Sequence, residues 1–184
     1  MLNRRAIRAG LLLAATSLLC SDPGKRANAQ ELSDYQVKAA YFYNFAKFVQ
    51  WPEQELADPA RPVRFCILRD RLFEEELSRI AKGKFIGGHA VEVTRVENVE
   101  QSRQCQALFV SSAQQRQSRH FVEALRGNSV LTVGETEDFL QDGGMIAFVL
   151  EKDRIQFVVN RKAATEAGLY MSSKMLTLAK RVVN

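Results

Sequence analysis

Residues 63–96 read VRFCILRDRLFEEELSRIAKGKFIGGHAVEVTRV and carry the strongest evidence for the fold class. Val63 to Leu68, which is apolar except for Arg64, is typical of a buried strand. A helix is predicted from Leu72 to Ala81, a turn from Gly83 to Gly88, and a second, alternating strand from Ala90 to Val96. A strand, a helix and a strand in this order predict a right-handed crossover between parallel strands.

The same alternation continues towards the C-terminus. The further predicted strands are Ala107 to Val110, Val130 to Val133, Met145 to Leu150 and Ile155 to Val159. The further predicted helices are Gln115 to Arg126, Arg161 to Ala167 and Met171 to Val183, with a single turn at Glu137 to Gln141. The last two strands are joined by a polar tetrapeptide, which predicts a hairpin at the edge of the sheet. The predicted fold class is α/β: a three-layer sandwich with a mostly parallel sheet, an antiparallel C-terminal hairpin and a Rossmann-like outline.

The first predicted helix has apolar residues on two sides. Ser33 and Gln36 form a capping box at its start, and we expect it to end at Gln50 because Pro52 disfavours helical geometry before it. A surface helix normally has one apolar stripe, whereas Phe42 and Val49 lie away from the main apolar face. These two residues either pack against other helices of the chain or form part of a partner-binding surface.

Residues 1–29 have the features of an export signal. Three arginines precede an apolar run from Gly10 to Cys20, which is shorter than the about 20 residues that a membrane-spanning helix needs. The small residues of Ala27-Asn28-Ala29 suit cleavage after Ala29. We therefore predict a signal peptide at 1–29, a single domain at 30–184 and a periplasmic location. An uncleaved anchor and a lipoprotein attached at Cys20 remain alternatives.

The basic character of the chain belongs largely to this signal. The whole sequence has 26 basic and 21 acidic residues, a formal net charge of +5. Five of the basic residues and one of the acidic residues lie in 1–29, which leaves 21 and 20 and a net charge of +1. Nucleic-acid binding needs a basic stripe on the folded domain, so the pI near 9.3 is no evidence for it.

Two cysteines remain after removal of the signal, Cys66 and Cys105. An even number in an exported chain indicates a disulfide, and two buried thiols are the alternative. Cys66 lies in the first predicted strand and Cys105 precedes the third. These strands are plausible neighbours in a parallel sheet, which could bring the two sulfurs within bonding reach.

No catalytic arrangement is evident in the sequence. The glycines at 83, 87 and 88 follow a helix and lack the spacing of a dinucleotide or phosphate loop. His89 and His120 have no metal-ligand spacing, and Ser111 and Ser112 have no histidine or acid placed by a motif. The sequence therefore predicts neither an enzyme nor a cofactor or metal site.

Several segments together resemble the YfiR-like (HmsC-type) family. The longest is YQVKAAYFYNFAKFVQWP, from Tyr35 to Pro52. The others follow in order: residues 65–68, 105–110, 131–134, 139, 143–146, 157–160, 167–169 and 172–176. The resemblance covers essentially the whole chain after the signal. Some relatives have a second cysteine pair, so redox behaviour that depends on four cysteines is in doubt here.

The resemblance implies a function. YfiR-like proteins are periplasmic repressors that bind the periplasmic part of an inner-membrane diguanylate cyclase and so lower cyclic di-GMP and biofilm formation. The resemblance also implies a homodimer and an outer-membrane protein that sequesters the repressor. A periplasmic small-ligand sensor is the alternative function. Its pocket would lie at the carboxyl edge of the sheet, with Ser112, Asn160 and Arg161 as polar anchors; helix capping is the other explanation for these three residues.

Overall fold

The computed structural model describes residues 23–184, with side chains from residue 34 onward. The three arginines, the apolar run and Cys20 of the predicted signal lie outside the described residues. The strands are β1 (Val49–Gln50), β2 (Val63–Leu68), β3 (Phe85–Ile86), β4 (His89–Val96), β5 (Ala107–Val110), β6 (Leu131–Gly134), β7 (Ile146–Glu151), β8 (Arg154–Asn160), β9 (Tyr170–Met171) and β10 (Arg181–Val183). The α-helices are α1 (Pro23–Lys47), α2 (Arg71–Ala81), α3 (Val99–Ser102), α4 (Gln115–Ala124), α5 (Glu137–Gln141), α6 (Arg161–Glu166) and α7 (Ser173–Leu178). Two 3₁₀ turns span Glu53–Leu56 and Ser112–Gln114.

Eight strands form one sheet in the order β10-β8-β7-β6-β5-β2-β4-β3. The pairs from β4 through β2, β5 and β6 to β7 are parallel, and the β7–β8 hairpin is antiparallel. Helices cover both faces, so the predicted three-layer α/β sandwich is confirmed. β1 and β9 form a separate two-stranded antiparallel sheet.

The alternation of side chains along the strands produces two cores. Phe65 and Ile67 of β2 point to the face covered by α1 and α2, whereas Cys66 and Leu68 point to the face covered by α3, α4 and α5. We call these the α1 face and the α4 face. α2 packs on the α1 face through Phe73, which is buried with Leu77 and Ala81 at four-residue spacing.

The C-terminus differs from the sequence prediction. The helix predicted from Met171 to Val183 is interrupted: β9 precedes the short α7, and residues 181–183 form β10. β10 pairs in parallel with β8, so the hairpin does not form the edge of the sheet as predicted. Helix propensity along this segment was overridden because the β-branched pair Val182-Val183 can extend the sheet.

The ends of two other segments also differ. α1 begins at Pro23 rather than at Ser33 and ends at Lys47, because Val49 and Gln50 pair with Met171 and Tyr170. The predicted turn at Gly83 to Gly88 contains β3, which turns back into β4 through Gly87 and Gly88. Both glycines have positive φ, 58° and 91°, which a two-residue turn between antiparallel strands requires.

Candidate functional site

A disulfide joins Cys66 and Cys105 across the centre of the sheet. The two Cα atoms are 5.9 Å apart and 39 positions apart in the sequence. Cys66 is in β2, and Cys105 lies just before the neighbouring strand β5. Both residues are buried on the α4 face. The disulfide predicted from the even cysteine count is therefore present, rather than two buried thiols.

The two candidate partner-binding residues, Phe42 and Val49, lie in the core, as the internal-packing alternative predicts. Phe42 has no exposed surface, and its ring lies 5.2 Å from the ring of Phe65 and 5.9 Å from that of Phe109, between centroids. Val49 is also buried, in the strand that follows α1. The second apolar side of α1 packs against the chain's own sheet and α2, so neither residue can contact a partner without unfolding. Phe42→Glu is expected to unfold the domain.

The three predicted ligand anchors do not come together. Ser112 follows β5 at the carboxyl edge of the parallel strands. Asn160 ends β8, which runs antiparallel to β7, so Asn160 and Arg161 lie at the opposite, amino edge. The side chain of Asn160 caps α6 by accepting a hydrogen bond from the N–H of Ala163, at 3.1 Å. A single pocket that includes all three residues is therefore excluded by the direction of β8.

The carboxyl edge of β5 and β6 has a polar cluster. Nζ of Lys38, on α1, lies 2.6 Å from Oε1 of Glu135, which directly follows β6. Oε2 of Glu135 accepts a hydrogen bond from the N–H of Ser112 at 2.6 Å. The Glu135 side chain is only 6% exposed. Its two oxygens are thus occupied by contacts that attach α1 and the β5 loop to the sheet.

Ser111, next to this cluster, differs from its neighbours. Ser111 is buried, and its Oγ has no hydrogen-bond partner among the described residues. On the other side of β5, the Tyr35 hydroxyl donates to Oδ2 of Asp70 at 3.1 Å. The second oxygen of Asp70 caps α2 by accepting from the N–H of Phe73, at 3.0 Å. Most polar groups at this edge therefore hold structural elements together.

The two histidines are far apart in the fold. His89 begins β4 and is buried, with Nδ1 2.8 Å from the carbonyl oxygen of Arg61, to which it can donate a hydrogen bond. His120 is exposed on α4. In the part of the chain that the structure describes, no group of three or more His, Cys, Asp or Glu residues could hold a metal ion. Across residues 23–184, no helix is long and apolar enough to cross a membrane.

The β7–β8 hairpin projects beyond the carboxyl edge of the sheet. β6 pairs with β7 only at Val133–Ile146 and Gly134–Ala147, whereas β7 and β8 stay paired as far as Glu151 and Arg154. Leu150, on the projecting part, is 67% exposed. The sequence predicted this hairpin but not its projection, because the projection depends on where β6 ends relative to β7.

The projecting part of the hairpin has an apolar surface on its α1 side. Leu150 points to the same side as the buried Phe148, two residues earlier, and pairs with the half-buried Ile155. Val37, 41% exposed, lies one turn before Tyr41, whose ring is 6.1 Å from that of Phe148. We define Val37, Leu150 and Ile155 as the hairpin patch. Leu150 and Ile155 line, with Lys38, a shallow depression of about 120 Å³.

Two solved structures are similar to this chain over part of their length. A conserved domain protein from Vibrio cholerae O1 biovar El Tor is 8% identical with a TM-score of 0.51, and the match covers 66% of this chain and 55% of that chain. The ABC domain from Streptococcus pneumonia, solved in complex with L-Trp, is 12% identical with a TM-score of 0.47, over 65% of this chain and 55% of that chain. The chain thus spans about half the length of these proteins, and the first match shows the fold alone.

The family is identified by sequence. No curated protein matches the chain. A family profile described as YfiR/HmsC-like matches residues 35–180, from the middle of α1 to the residue before β10. The match includes every strand of the eight-stranded sheet except β10, together with the disulfide and the projecting hairpin. The chain therefore belongs to the YfiR/HmsC-like family, which supports a general role as a periplasmic regulator.

Proposed function

We propose that this protein is a periplasmic repressor that binds the periplasmic part of an inner-membrane diguanylate cyclase and so lowers cyclic di-GMP and biofilm formation. The observation that carries the proposal is the match to the YfiR/HmsC-like family over residues 35–180. Asp70 and Glu135, the carboxylates described at the carboxyl edge of the sheet, accept hydrogen bonds from backbone N–H groups of the domain itself. These structural roles are consistent with a protein that acts by binding. Repression would then depend on a contact surface rather than on a reaction.

The hairpin patch is the contact surface that the geometry supports best. Its three side chains are apolar and at least partly exposed, and they stand on an element that projects beyond the sheet. α1, which carries Val37, is attached to the sheet by the Lys38–Glu135 ion pair. The patch therefore lies on elements that are fixed to the rest of the domain. An exposed apolar surface of this kind marks a binding site when several large side chains adjoin.

The decisive experiment measures cyclic di-GMP after deletion of the gene and complementation with variants. We expect deletion to raise cyclic di-GMP and the wild-type gene to restore it. Leu150→Glu should fold but fail to restore repression, because a charge at the centre of an apolar contact is desolvated without a partner. The matched control is Phe85→Glu, which alters a 62% exposed side chain on β3, at the far edge of the sheet.

Each outcome of this experiment has a defined meaning. Unchanged cyclic di-GMP after deletion would refute repression of a cyclase. Full repression by Leu150→Glu would place the contact surface elsewhere on the domain. Loss of repression by Phe85→Glu alone would move it to the β3 edge.

Export through residues 1–29 is part of the same proposal. Cleavage after Ala29 would fall within α1 and leave residues 30–47 of the helix attached to the domain. Mass spectrometry of the periplasmic fraction should find a chain that begins at Gln30. An intact N-terminus or an acylated Cys20 would contradict this.

A homodimer and an outer-membrane sequestering protein are further partners in the proposal. Sedimentation of the purified protein tests the dimer, and co-purification with outer-membrane proteins tests sequestration. A monomer at all accessible concentrations would remove the first of these partners.

A further inference from the structure

Three lysines without acidic partners lie near the C-terminal end of α1. The ammonium groups of Lys47 and Lys84 lie 5.7 Å and 4.7 Å from the centre of the Tyr43 ring. Nζ of Lys174, at the start of α7, lies 5.6 Å from the centre of the Phe48 ring. All three lysines are exposed, and among the described residues none is ion-paired with a carboxylate.

Aromatic side chains continue this surface across the small sheet. The carbonyl of Phe48 accepts a hydrogen bond from the N–H of Ser172 at 2.9 Å, which joins the α1–β1 junction to β9. Gln50 pairs with Tyr170, which is 67% exposed and points away from the core, whereas the paired Val49 and Met171 pack inward. We call the resulting surface the basic–aromatic strip, which consists of Lys47, Phe48, Lys84, Tyr170 and Lys174, with the largely buried Tyr43 ring beneath Lys47 and Lys84.

The charge of the strip is local. With a net charge of +1 after removal of residues 1–29, the domain as a whole attracts neither anions nor cations strongly. At physiological ionic strength the Debye length is about 8 Å, so a bound surface responds to the charges nearest to it. The three lysines, which have no ion-pair partner among the described residues, therefore favour an anionic partner on this side of the molecule.

We propose that the basic–aromatic strip docks on an anionic phospholipid surface, so that the protein binds reversibly to a membrane. The cations of the strip are all lysines. Lysine is depleted at protein–protein interfaces, and arginine is the residue that binds carboxylates in a bidentate manner. Lysines with apolar stems beside tyrosine and phenylalanine are typical of surfaces that lie at the lipid headgroups.

The proposal goes beyond repression of a cyclase and does not depend on it. Binding at the membrane surface would concentrate the protein in the layer where any inner-membrane partner lies. The hairpin patch and the strip are separated along α1, since Val37 lies ten residues, about 15 Å, before Lys47, the last residue of the helix. A protein docked through the strip would keep the hairpin patch available.

The test uses flotation of the purified periplasmic protein with two kinds of vesicle. We expect binding to phosphatidylcholine vesicles that contain phosphatidylglycerol and little binding to phosphatidylcholine alone. Each lysine near an anionic surface contributes about fivefold to affinity, so the triple variant K47Q/K84Q/K174Q should bind on the order of 100-fold more weakly. Binding should also disappear in 1 M salt, where the Debye length is about 3 Å.

The matched control is R116Q/K152Q/R154Q. It removes the same charge from exposed cations on α4, in the hairpin turn and at the start of β8, none of which is ion-paired among the described residues. This control should bind the anionic vesicles as the wild type does. Tyr170→Ser should weaken binding without a change in charge, which separates the aromatic contribution from the electrostatic one.

Three outcomes would overturn the proposal. The first is no binding to anionic vesicles, and the second is equal binding to both kinds of vesicle. The third is equal loss of binding in the triple variant and its control, which would show a general charge effect. If wild-type protein ignores vesicles but the triple variant fails to repress in cells, the strip contacts an acidic protein surface instead. Because the vesicles contain no cyclase, these results are separate from those that test repression.

Discussion

The two faces of the sheet are stabilised in different ways. On the α1 face, aromatic rings of α1, α2 and the strands contact one another, with Phe42 between Phe65, Phe73 and Phe109. On the α4 face, the helices have four, ten and five residues, and a disulfide lies beneath them. Helices this short are marginal in isolation. A long helix can thus hold a core by packing alone, whereas short helices are combined here with a covalent link.

Truncation of one ring on each face gives the largest expected effects. Phe42→Ala should lower the free energy of unfolding by about 3–5 kcal/mol, through lost burial and a cavity. Phe121→Ala on the α4 face should cost less, because Phe42 has three Phe neighbours and each aromatic pair adds about 0.5–1.5 kcal/mol. Urea unfolding of both variants tests this order. A larger loss for Phe121→Ala would show that the aromatic face is not the more tightly packed one.

Removal of the disulfide should follow in size. In the chain-entropy model, a loop of this length contributes roughly 3–4 kcal/mol to the free energy of unfolding. The double variant C66A/C105A should therefore melt at a lower temperature and keep the fold. Wild-type protein treated with a reductant should approach the stability of the double variant, which should itself not respond. If reduction leaves the melting temperature unchanged, the α4 face is stabilised by packing rather than by the disulfide.

Overpacking beside α5, on the α4 face, should have a smaller effect on the free energy of unfolding. A Cβ atom added at Gly134 or Gly144 would overlap the Phe139 ring, which is fully buried. Gly144→Ala should cost about 1–3 kcal/mol by overpacking. In a Phe139→Leu background the same change should cost less, because the ring that it meets is gone. Equal costs in both backgrounds would mean that the backbone at Gly144, rather than the ring, is sensitive.

Removal of a single buried hydroxyl group should have the smallest effect on the free energy of unfolding, and two serines allow a comparison. Ser111→Ala should leave the free energy of unfolding unchanged or raise it by up to about 1 kcal/mol, because its Oγ has no partner among the described residues. Ser118→Ala on α4 should cost about 1–2 kcal/mol, because its Oγ lies 2.8 Å from the Gln115 carbonyl and 2.9 Å from Oδ2 of Asp142. Thermal denaturation of both variants should differ in sign or clearly in size.

Local patterns predicted the centre of the fold well. β2 and β5 have the bounds that their apolar runs predicted, and the Cys66–Cys105 disulfide lies between them. β5 is a continuous apolar segment and β2 is apolar except for Arg64, so burial on both faces left little ambiguity. Segments that pair with distant residues were predicted less well. The prediction of one C-terminal helix was wrong because β10 forms by pairing with β8, and a local sequence pattern contains no information about that pairing.

The candidate surfaces were harder to predict than the core. The helical wheel places Phe42 away from the main apolar face of α1. A helical wheel cannot show whether such a second apolar side is buried or exposed. The strip was not predicted at all, because Lys47, Lys84 and Lys174 are distant in sequence. The hairpin patch was not predicted either, because the sequence predicted its two strands but not their projection beyond the sheet.

The sequence by itself determined the family, the α/β class and the cysteine pair, because these depend on residue identity and on periodicities of a few residues. Tertiary structure decided which apolar residues are exposed, which polar residues share an edge and which lysines lie together. Val37 and Phe42 are both apolar residues of α1, yet one is 41% exposed and the other has no exposed surface. The physical reason is that burial depends on what packs against a side chain, and in this domain the Phe42 neighbours come from β2, α2 and β5.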